Sequence, residues 1–508
     1  MNKTNNSLIY ATSFLSGFLC LAVEIIWIRL ISFAGMGAPQ AFSYTLAMFL
    51  VGIAFGALLG REICRSAKVN ITSIGRIYLL AGAVDLSLFG LALLFAQHDL
   101  AQYIFGVFVL ISAMIRGMVF PIIHHIGASN QKSGREISNI YFLNVLGSSL
   151  APLLISFVVL GYLNTQQTYF AICLITLILS SVCSMGTKIN FIPSMLAIGT
   201  MPLIFMQDHI IQKISINSYT ANHPPVQVLE NKHGFIQVYK NKDADRQDDL
   251  LVFGNNAYDG RLNTNIFRDT NGIARSYLLA TMSNNLENVL VVGMSTGAWT
   301  EVLRRNPNIK KITVIEINPE YIKLIKQHPI NSKILKDKRI EIVIDDGRKW
   351  IKANQDKKFD LVMINTTFHW RAYSSNLLSA EFLTLLKNVV HENGLAYYNS
   401  TMSADAYLTA KKVFPHTYKH NYMIAVSHKP IHIDAAVVMG NMCNLKLDQK
   451  PLFKTFNECK AAARLALHDP LIPYKDIDFQ FAFHPAEIIT DDNMLTEYRH
   501  GGNKTGKD

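Results

Sequence analysis

The 508-residue chain has little cysteine and, over its first two fifths, little charge. Six cysteines are too few and too scattered for a disulfide framework. Cys20, Cys64, Cys173 and Cys183 lie in or beside hydrophobic stretches, and only Cys443 and Cys459 fall in the polar part. There is no C-x-x-C and no Cys/His cluster, so no metal site is expected. His124 and His125 are adjacent, cannot share one helix face, and read as a helix end. A tight G-x-G-x-x-G turn is missing after the first strand of the polar half, which argues against a dinucleotide. The net charge of +11 divides into +5 up to residue 206 and +6 beyond it. Neither part carries the basic-aromatic patch of a nucleic-acid binder.

Residues 1–206 hold ten Lys/Arg and five Asp/Glu, against 38 and 32 in the remainder. Seven apolar stretches, at about 8–33, 41–60, 77–97, 102–123, 140–163, 168–185 and 190–206, each approach the ~20 residues that cross a bilayer core. The first is too long, and too poor in a cleavage signal, for a secretory peptide. Small residues such as Gly52, Gly56, Gly60 and Gly147-Ser148-Ser149 fit close helix packing. Four charges, Glu24, Arg29, Asp85 and Arg116, sit within these stretches and are expected to face one another or a polar cavity. Alternate connections differ in charge. One set holds Lys3, Arg61, Arg65, Lys68, Arg76, Lys132, Arg135 and Lys188, and the other holds no Lys or Arg. That bias places the amino terminus in the cytoplasm and, with seven spans, the polar half outside.

After Pro224-Pro225, short alternating segments at 226–229, 234–239 and 250–253 predict a small antiparallel cap, followed by a helix over about 273–282. From Asn288 strands and helices alternate, as in a parallel doubly wound sheet. The strands 289–292, 311–315, 340–344 and 359–364 end respectively in Gly293-Met294-Ser295-Thr296-Gly297, in Glu316, in Asp345-Asp346-Gly347, and in Asn365-Thr366-Thr367-Phe368-His369-Trp370-Arg371. Four polar strand ends outline one crevice. A glycine loop lets the backbone approach a ligand, an acid 23 residues beyond Gly293 can bind a ribose diol, and the next acid can accept from an adenine amino group. The order glycine loop, acid, acid is that of class I methyltransferases. His369 can serve as a general base and Arg371 can bind a carboxylate or phosphate. Trp370 can stack or pack. Asn376, Tyr258-Asp259 in the cap and Asn399 border the same crevice.

The chain resembles the spermidine synthase family over about 226–437, through "VIEINPEY", "IDDGRKWI", "FDLVMIN", "LLSAEFLTLL" and "ENGLAYYNS". The hydrophobic half is similar to that of bacterial membrane-fused relatives, through "FLSGFLCLAVEIIWIRLIS", "FLVGIAFGALLG", "GMVFPII" and "NVLGSSLAPLLISFVVLGYL". The resemblance implies a helical transmembrane domain over 1–207, a connector and β cap over 208–285, a methyltransferase-like nucleoside-binding domain over 286–440, and an extension and loose tail over 441–508. It implies binding of decarboxylated S-adenosylmethionine or S-adenosylmethionine, with Gly293 and Gly297 near the ligand, Glu316 on the ribose and Asp346 on the adenine. Pairing of two copies through the soluble domain is a further expectation from the family.

The departures are chemical. The family's Gly-Gly-Gly-Asp-Gly loop has Thr296 in place of the acid that helps hold the donor's amino group. Its Asp-Ser-Ser-Asp-Pro motif stands as Asn365-Thr366-Thr367-Phe368-His369, without the base for the attacking amine or the acid for the amine chain. A polyamine acceptor needs both. Two readings follow. One is a membrane-bound transferase, methyl or aminopropyl, acting on an acceptor other than a polyamine. The other is a non-catalytic nucleoside- or partner-binding domain attached to a transporter-like membrane half.

Overall fold

The computed structural model describes residues 3–66, 68–128, 134–206, 210–215, 223–240, 249–365, 368–401, 403–479 and 484–499. The chain forms two compact units, Met1–Phe235 and Ile236–Asp508. Lys132, Thr366, Thr367 and the expected tail, 500–508, lie outside the described residues, as does the side chain of Lys3.

The first unit is helical. Among the described residues, seven helices are long and apolar enough to cross a membrane: Ser7–Ala34, Pro39–Ser66, Ile71–Phe95, Ala101–Gly127, Gly134–Gly161, Thr165–Cys183 and Lys188–Phe205. In elements these are α1 (Lys3–Ala34), α2 (Pro39–Ser66), α3 (Ile71–Phe95), α4 (Ala101–Gly117) with α5 (Val119–Ala128), α6 (Gly134–Phe157), α7 (Thr165–Cys183) and α8 (Phe191–Thr200). The fourth span breaks between α4 and α5 because Pro121 lacks an N–H and its ring crowds the carbonyl four residues back, at Gly117. Asn164 starts α7 with a capping box, accepting from the Gln167 N–H at 2.7 Å while Gln167 accepts from its own. The stripe Gly52, Gly56 and Gly60 of α2 packs on the backbone of the fourth span: a Cβ would lie 2.5, 2.1 and 2.5 Å from the carbonyl oxygens of Leu110, Met114 and Met118. Trp27 anchors the centre against Phe105, Phe108 and Tyr169.

The intramembrane charges divide differently from the expectation. Arg116 pairs with Asp85, both nearly inaccessible, and Ser112 bridges them, donating to Asp85 at 2.7 Å and accepting from Arg116 at 2.8 Å. Arg29 does not turn to Glu24. It bonds Thr165 Oγ1 at 2.9 Å, Glu230 at 3.2 Å and the carbonyl of Asn231, and covers the Phe235 ring at 4.3 Å. Five residues along a helix turn Glu24 and Arg29 about 140° apart, so they cannot share a face. Glu230 in turn accepts from the Thr165 N–H at 2.7 Å. A short helix α9 (Ile210–Ile214) and strand β1 (Gln227–Asn231) complete this unit.

The second unit opens with an antiparallel ladder of β2 (Gly234–Tyr239), β3 (Leu251–Gly254) and β4 (Ala257–Arg261). β4 was not among the expected strands, and it carries Tyr258 and Asp259. Helix α10 (Ile273–Thr281) leads into β5 (Asn288–Val292), α11 (Ala298–Arg304), β6 (Lys311–Glu316), α12 (Glu320–Lys326), β7 (Ile340–Ile344), α13 (Gly347–Ala353), β8 (Phe359–Ile364), α14 (Ala380–Val389), β9 (Val390–Asn399) and α15 (Ala404–Val413). Then follow β10 (His416–His420), β11 (Met423–Ser427), α16 (Ala435–Cys443), the small pair β12 (Lys446–Leu447) and β13 (Lys450–Pro451), α17 (Phe456–Ala466) and β14 (Ile472–Pro473). The large sheet runs β14-β10-β11-β9-β8-β5-β6-β7, parallel from β9 to β7 and antiparallel beyond β9. The apolar runs of β5, β6 and β8 are buried on both faces, as a helix-covered parallel sheet requires. A disulfide, Cys443–Cys459, ties α16 to α17 with Cα atoms 5.2 Å apart.

Removing one partner from the sealed pair leaves a buried charge, so Asp85→Leu should destabilise the helical unit by about 3–5 kcal/mol. Asp85→Leu with Arg116→Leu should recover much of that loss. Unfolding midpoints of the detergent-solubilised protein measure both; equal loss in the single and double variants would deny the coupling.

Candidate functional site

The chain reverses direction across the sheet at β5: β6 and β7 extend to one side, and β8 and β9 to the other. Such a switch point opens a crevice beyond the carboxyl ends of the strands. Four expected segments meet there. Gly293 and Asn365 are neighbours, with the Asn365 N–H donating to Val292 O at 2.9 Å. Gly293 has φ +81°, and a Cβ would reach 3.0 Å from Asn365 O, so the turn excludes a side chain. Gly297, at φ +71°, begins α11 in the same left-handed conformation, with Ile334 2.9 Å from a Cβ.

Glu316 holds the loop shut. Its buried carboxylate accepts the N–H of Met294 at 2.7 Å and of Asn318 at 2.8 Å. The Ser295 N–H adds a further favourable contact to the same carboxylate, and of its roughly four acceptor sites the rest remain for a ligand hydroxyl. Burial pushes its pKa up to about 7, opposed by those backbone donors and helped by the negative charge of Asp259.

Ser295 and Thr296, expected at the donor ligand, turn to the cap instead. Ser295, at φ +46°, donates to the carbonyl and carboxylate of Asp259 at 3.0 and 2.8 Å. Thr296 donates to Arg261 O at 2.9 Å. With no carboxylate to hold a ligand's amino group, both hydroxyls are used to fasten the glycine loop to β4. Asp259 also accepts from the hydroxyl of Tyr321, and the Arg371 guanidinium lies within its electrostatic reach. Burial draws the Arg371 pKa down while Asp259 and Tyr321 draw it up. Tyr258, by contrast, points to Asn271, donating at 2.9 Å.

Asp346 caps α13 by accepting the Lys349 N–H at 2.8 Å and borders a cavity of about 490 Å³ with Ile317, Arg348, Tyr373, Asn376, Leu377 and Asp491. That volume suits a small-molecule ligand. Asp345 does not line it; its carboxylate pairs with Lys349 at 2.9 Å on the surface.

In the loop after β8, Phe368 and Trp370 stack with centroids 5.4 Å apart. His369 leans on Thr401: its N–H donates to Thr401 Oγ1 at 3.0 Å, and Nδ1 meets the same oxygen. Thr401 Oγ1 also lies 2.8 Å from Ser400 O. Asn399 supports this arrangement by accepting the Thr401 N–H at 2.8 Å. Sequence reading missed Tyr321, Arg348, Thr401, Asp491 and Glu497. Tyr321 and Arg348 lay in quoted motifs; Thr401, Asp491 and Glu497 come from segments without a local pattern.

Residues 273–434 match the Spermine/spermidine synthase domain family. A polyamine aminopropyltransferase of Prochlorococcus marinus (strain MIT 9312) is 33% identical over 110 residues, 21% of this chain and 38% of the relative. The chain thus spans well under two thirds of that relative. A polyamine aminopropyltransferase of Mycobacterium tuberculosis is 23% identical over 397 residues, 74% of this chain and 73% of the relative, a match too long to fit inside the second unit alone. A spermidine synthase solved in complex with a transition-state analogue, AdoDATO, is 17% identical, covering 47% of this chain and 84% of its own, with TM-score 0.34.

Replacing Asp259 by Asn should lower the Glu316 titration midpoint below about 7, because a neighbouring negative charge is removed. Carboxyl-selective NMR on Glu-labelled protein reads this, and an unmoved midpoint would show the two acids to be independent. The cap, the switch-point crevice and the matched family agree: the second unit is a spermidine-synthase-like domain, carried in the same chain as seven helices of membrane-spanning length.

Proposed function

We propose that this protein binds an adenosine-type nucleoside in the crevice of its second unit and transfers a group from it to an acceptor that is not a polyamine. The observation that carries the reading is the split between retained and lost groups. Glu316 and Asp346 stand at neighbouring strand ends, Asp346 on the wall of a 490 Å³ cavity, while Asn365 and Phe368 offer no carboxylate to a cationic acceptor. The donor fitting this site is S-adenosylmethionine or its decarboxylated form. The acceptor attacks a carbon bonded to the sulfonium, that C–S bond breaks to leave a neutral thioether, and the His369 imidazole takes the acceptor's proton. Arg371 gives the acceptor side a cation, which suits an anionic or neutral acceptor.

We further propose that the protein sits in the bacterial inner membrane with this unit on the outer, oxidising side. Three observations support it. Arg29, at the end of α1, ties the start of α7 to Glu230 in the strand where the chain leaves the helices. Those helix ends are opposite the ones carrying Arg61, Arg65, Arg76, Arg135 and Lys188. This supports an exit on the side away from the basic helix ends without relying on the helix count, and basic ends favour the cytoplasm. The Cys443–Cys459 disulfide also suits an oxidising compartment.

The outer placement gives the second reading, a nucleoside-binding domain without catalysis, its own support, since sulfonium nucleosides are made in the cytoplasm. The sealed Asp85–Arg116 pair counts against a transport path through those residues.

Calorimetric titration with S-adenosylmethionine, its decarboxylated form and methylthioadenosine tests the site. Binding should be lost in Glu316→Ala, and putrescine should not bind beside the nucleoside. A diol donates to the ionised carboxylate, and protonation sets in below about pH 7. Affinity should therefore hold above that pH and fall about tenfold per unit below it. No binding of any of the three would refute the nucleoside reading. For the side, Lys352→Cys should react with a membrane-impermeant maleimide in intact cells; reaction only after lysis would place the unit inside.

A further inference from the structure

The segment after α17 showed no motif, yet its last described part, 484–499, is bonded to α15, to the start of α14 and, through Asp491, to the cavity wall. The Glu487 and Ile489 N–H groups donate to Asp405 and Thr409 of α15 at 2.8 and 2.9 Å. Ile489 O accepts the Ala380 N–H at 2.9 Å. Asp491 takes both arms of Arg348 and, at 2.7 Å, the hydroxyl of Ser379, so the cavity wall opposite Asp346 belongs to this segment.

Glu497 is the end of the strap. Its carboxylate is buried, 3% exposed, and accepts the N–H of Tyr373 and of Ser375 at 3.0 Å each, as well as the Ser375 hydroxyl. Tyr373 sits at φ +68°, a left-handed conformation that side chains resist, and begins the turn Ser374–Leu377 with no side-chain cap of its own. Glu497 supplies that cap from 122–124 residues away. The turn reaches both parts of the site. Ser374 donates to the His369 carbonyl, and Asn376 and Leu377 line the cavity.

We propose that Glu497 is a positioning residue: the carboxy-terminal strap, through this one buried carboxylate, sets the loop that presents His369 and walls the nucleoside cavity. The consequence for binding rests on the nucleoside reading above; the placement of the loop does not. Glu497→Ala removes the acceptor for two backbone donors in a strained turn, and the loop should relax.

The chain has four tryptophans, and only Trp370 lies in this loop. In full-length, detergent-solubilised protein labelled with fluorotryptophan, the Trp370 resonance, identified by its loss in Trp370→Phe, should shift or broaden in Glu497→Ala while Trp27, Trp299 and Trp350 stay in place. Methylthioadenosine affinity should fall at least about tenfold. Glu497→Gln, which keeps one acceptor oxygen, should restore part of both signals. An unmoved Trp370 resonance, or movement of all four, overturns the positioning role. If the unaltered protein binds no nucleoside, the function reading fails while the Trp370 resonance still decides the strap. Should Glu497→Ala not fold, Ser375→Ala removes only the hydroxyl contact, and the same Trp370 criterion decides.

Discussion

The second unit's site depends on one buried carboxylate. Glu316 ends β6 and bonds the backbone of Met294 in the glycine loop and of Asn318 before α12. The loop in turn fastens the cap: Ser295 holds Asp259, and Thr296 holds the backbone of Arg261. Asp259 then takes the Tyr321 hydroxyl and faces Arg371. The residue proposed to hold a ribose thus also organises three segments of the fold. Its cost is visible in its raised pKa, since an anion so deeply placed has exchanged water for only a few backbone donors.

On the proposed reading, the acceptor side near that carboxylate differs in charge from a polyamine site. Aminopropyl transfer to a diamine needs carboxylates both to attract a cation and to accept a proton. Here the corresponding positions are an amide, Asn365, and a ring, Phe368, which stacks on Trp370. The imidazole nearby is His369, held through Thr401, whose N–H Asn399 accepts. The cation is the protein's own, Arg371. These groups favour a neutral or anionic acceptor and a proton acceptor that works near neutral pH.

Much of this was legible in the sequence, for physical reasons that can be named. The strands β7 and β8 were read with their observed limits because short, mostly apolar segments, each broken by a single acid, stand between polar ends. Glu316 and Asp346 were legible because a carboxylate at a parallel strand's carboxyl end can only point into the crevice or its rim. β4 was not, since Ala-Tyr-Asp-Gly-Arg carries a glycine and two charges and lacks a strand's alternation. The polar surroundings of Arg29 were expected, but its partner was not legible, because Glu230 lies 201 residues away. Ser295 and Thr296 were placed on the ligand because local pattern gives proximity to the crevice but not side-chain direction. Glu497 carried no signal at all; a lone glutamate near a polar tail becomes a cap only once the fold brings Tyr373 to it.

The most direct test of the account is a cryo-EM structure of the full chain at saturating methylthioadenosine. The account requires the ribose hydroxyls within hydrogen-bond distance of the Glu316 carboxylate, and the adenine in the cavity bordered by Ile317, Asp346 and Leu377. An empty cavity at saturation, or a nucleoside bound elsewhere, would contradict it.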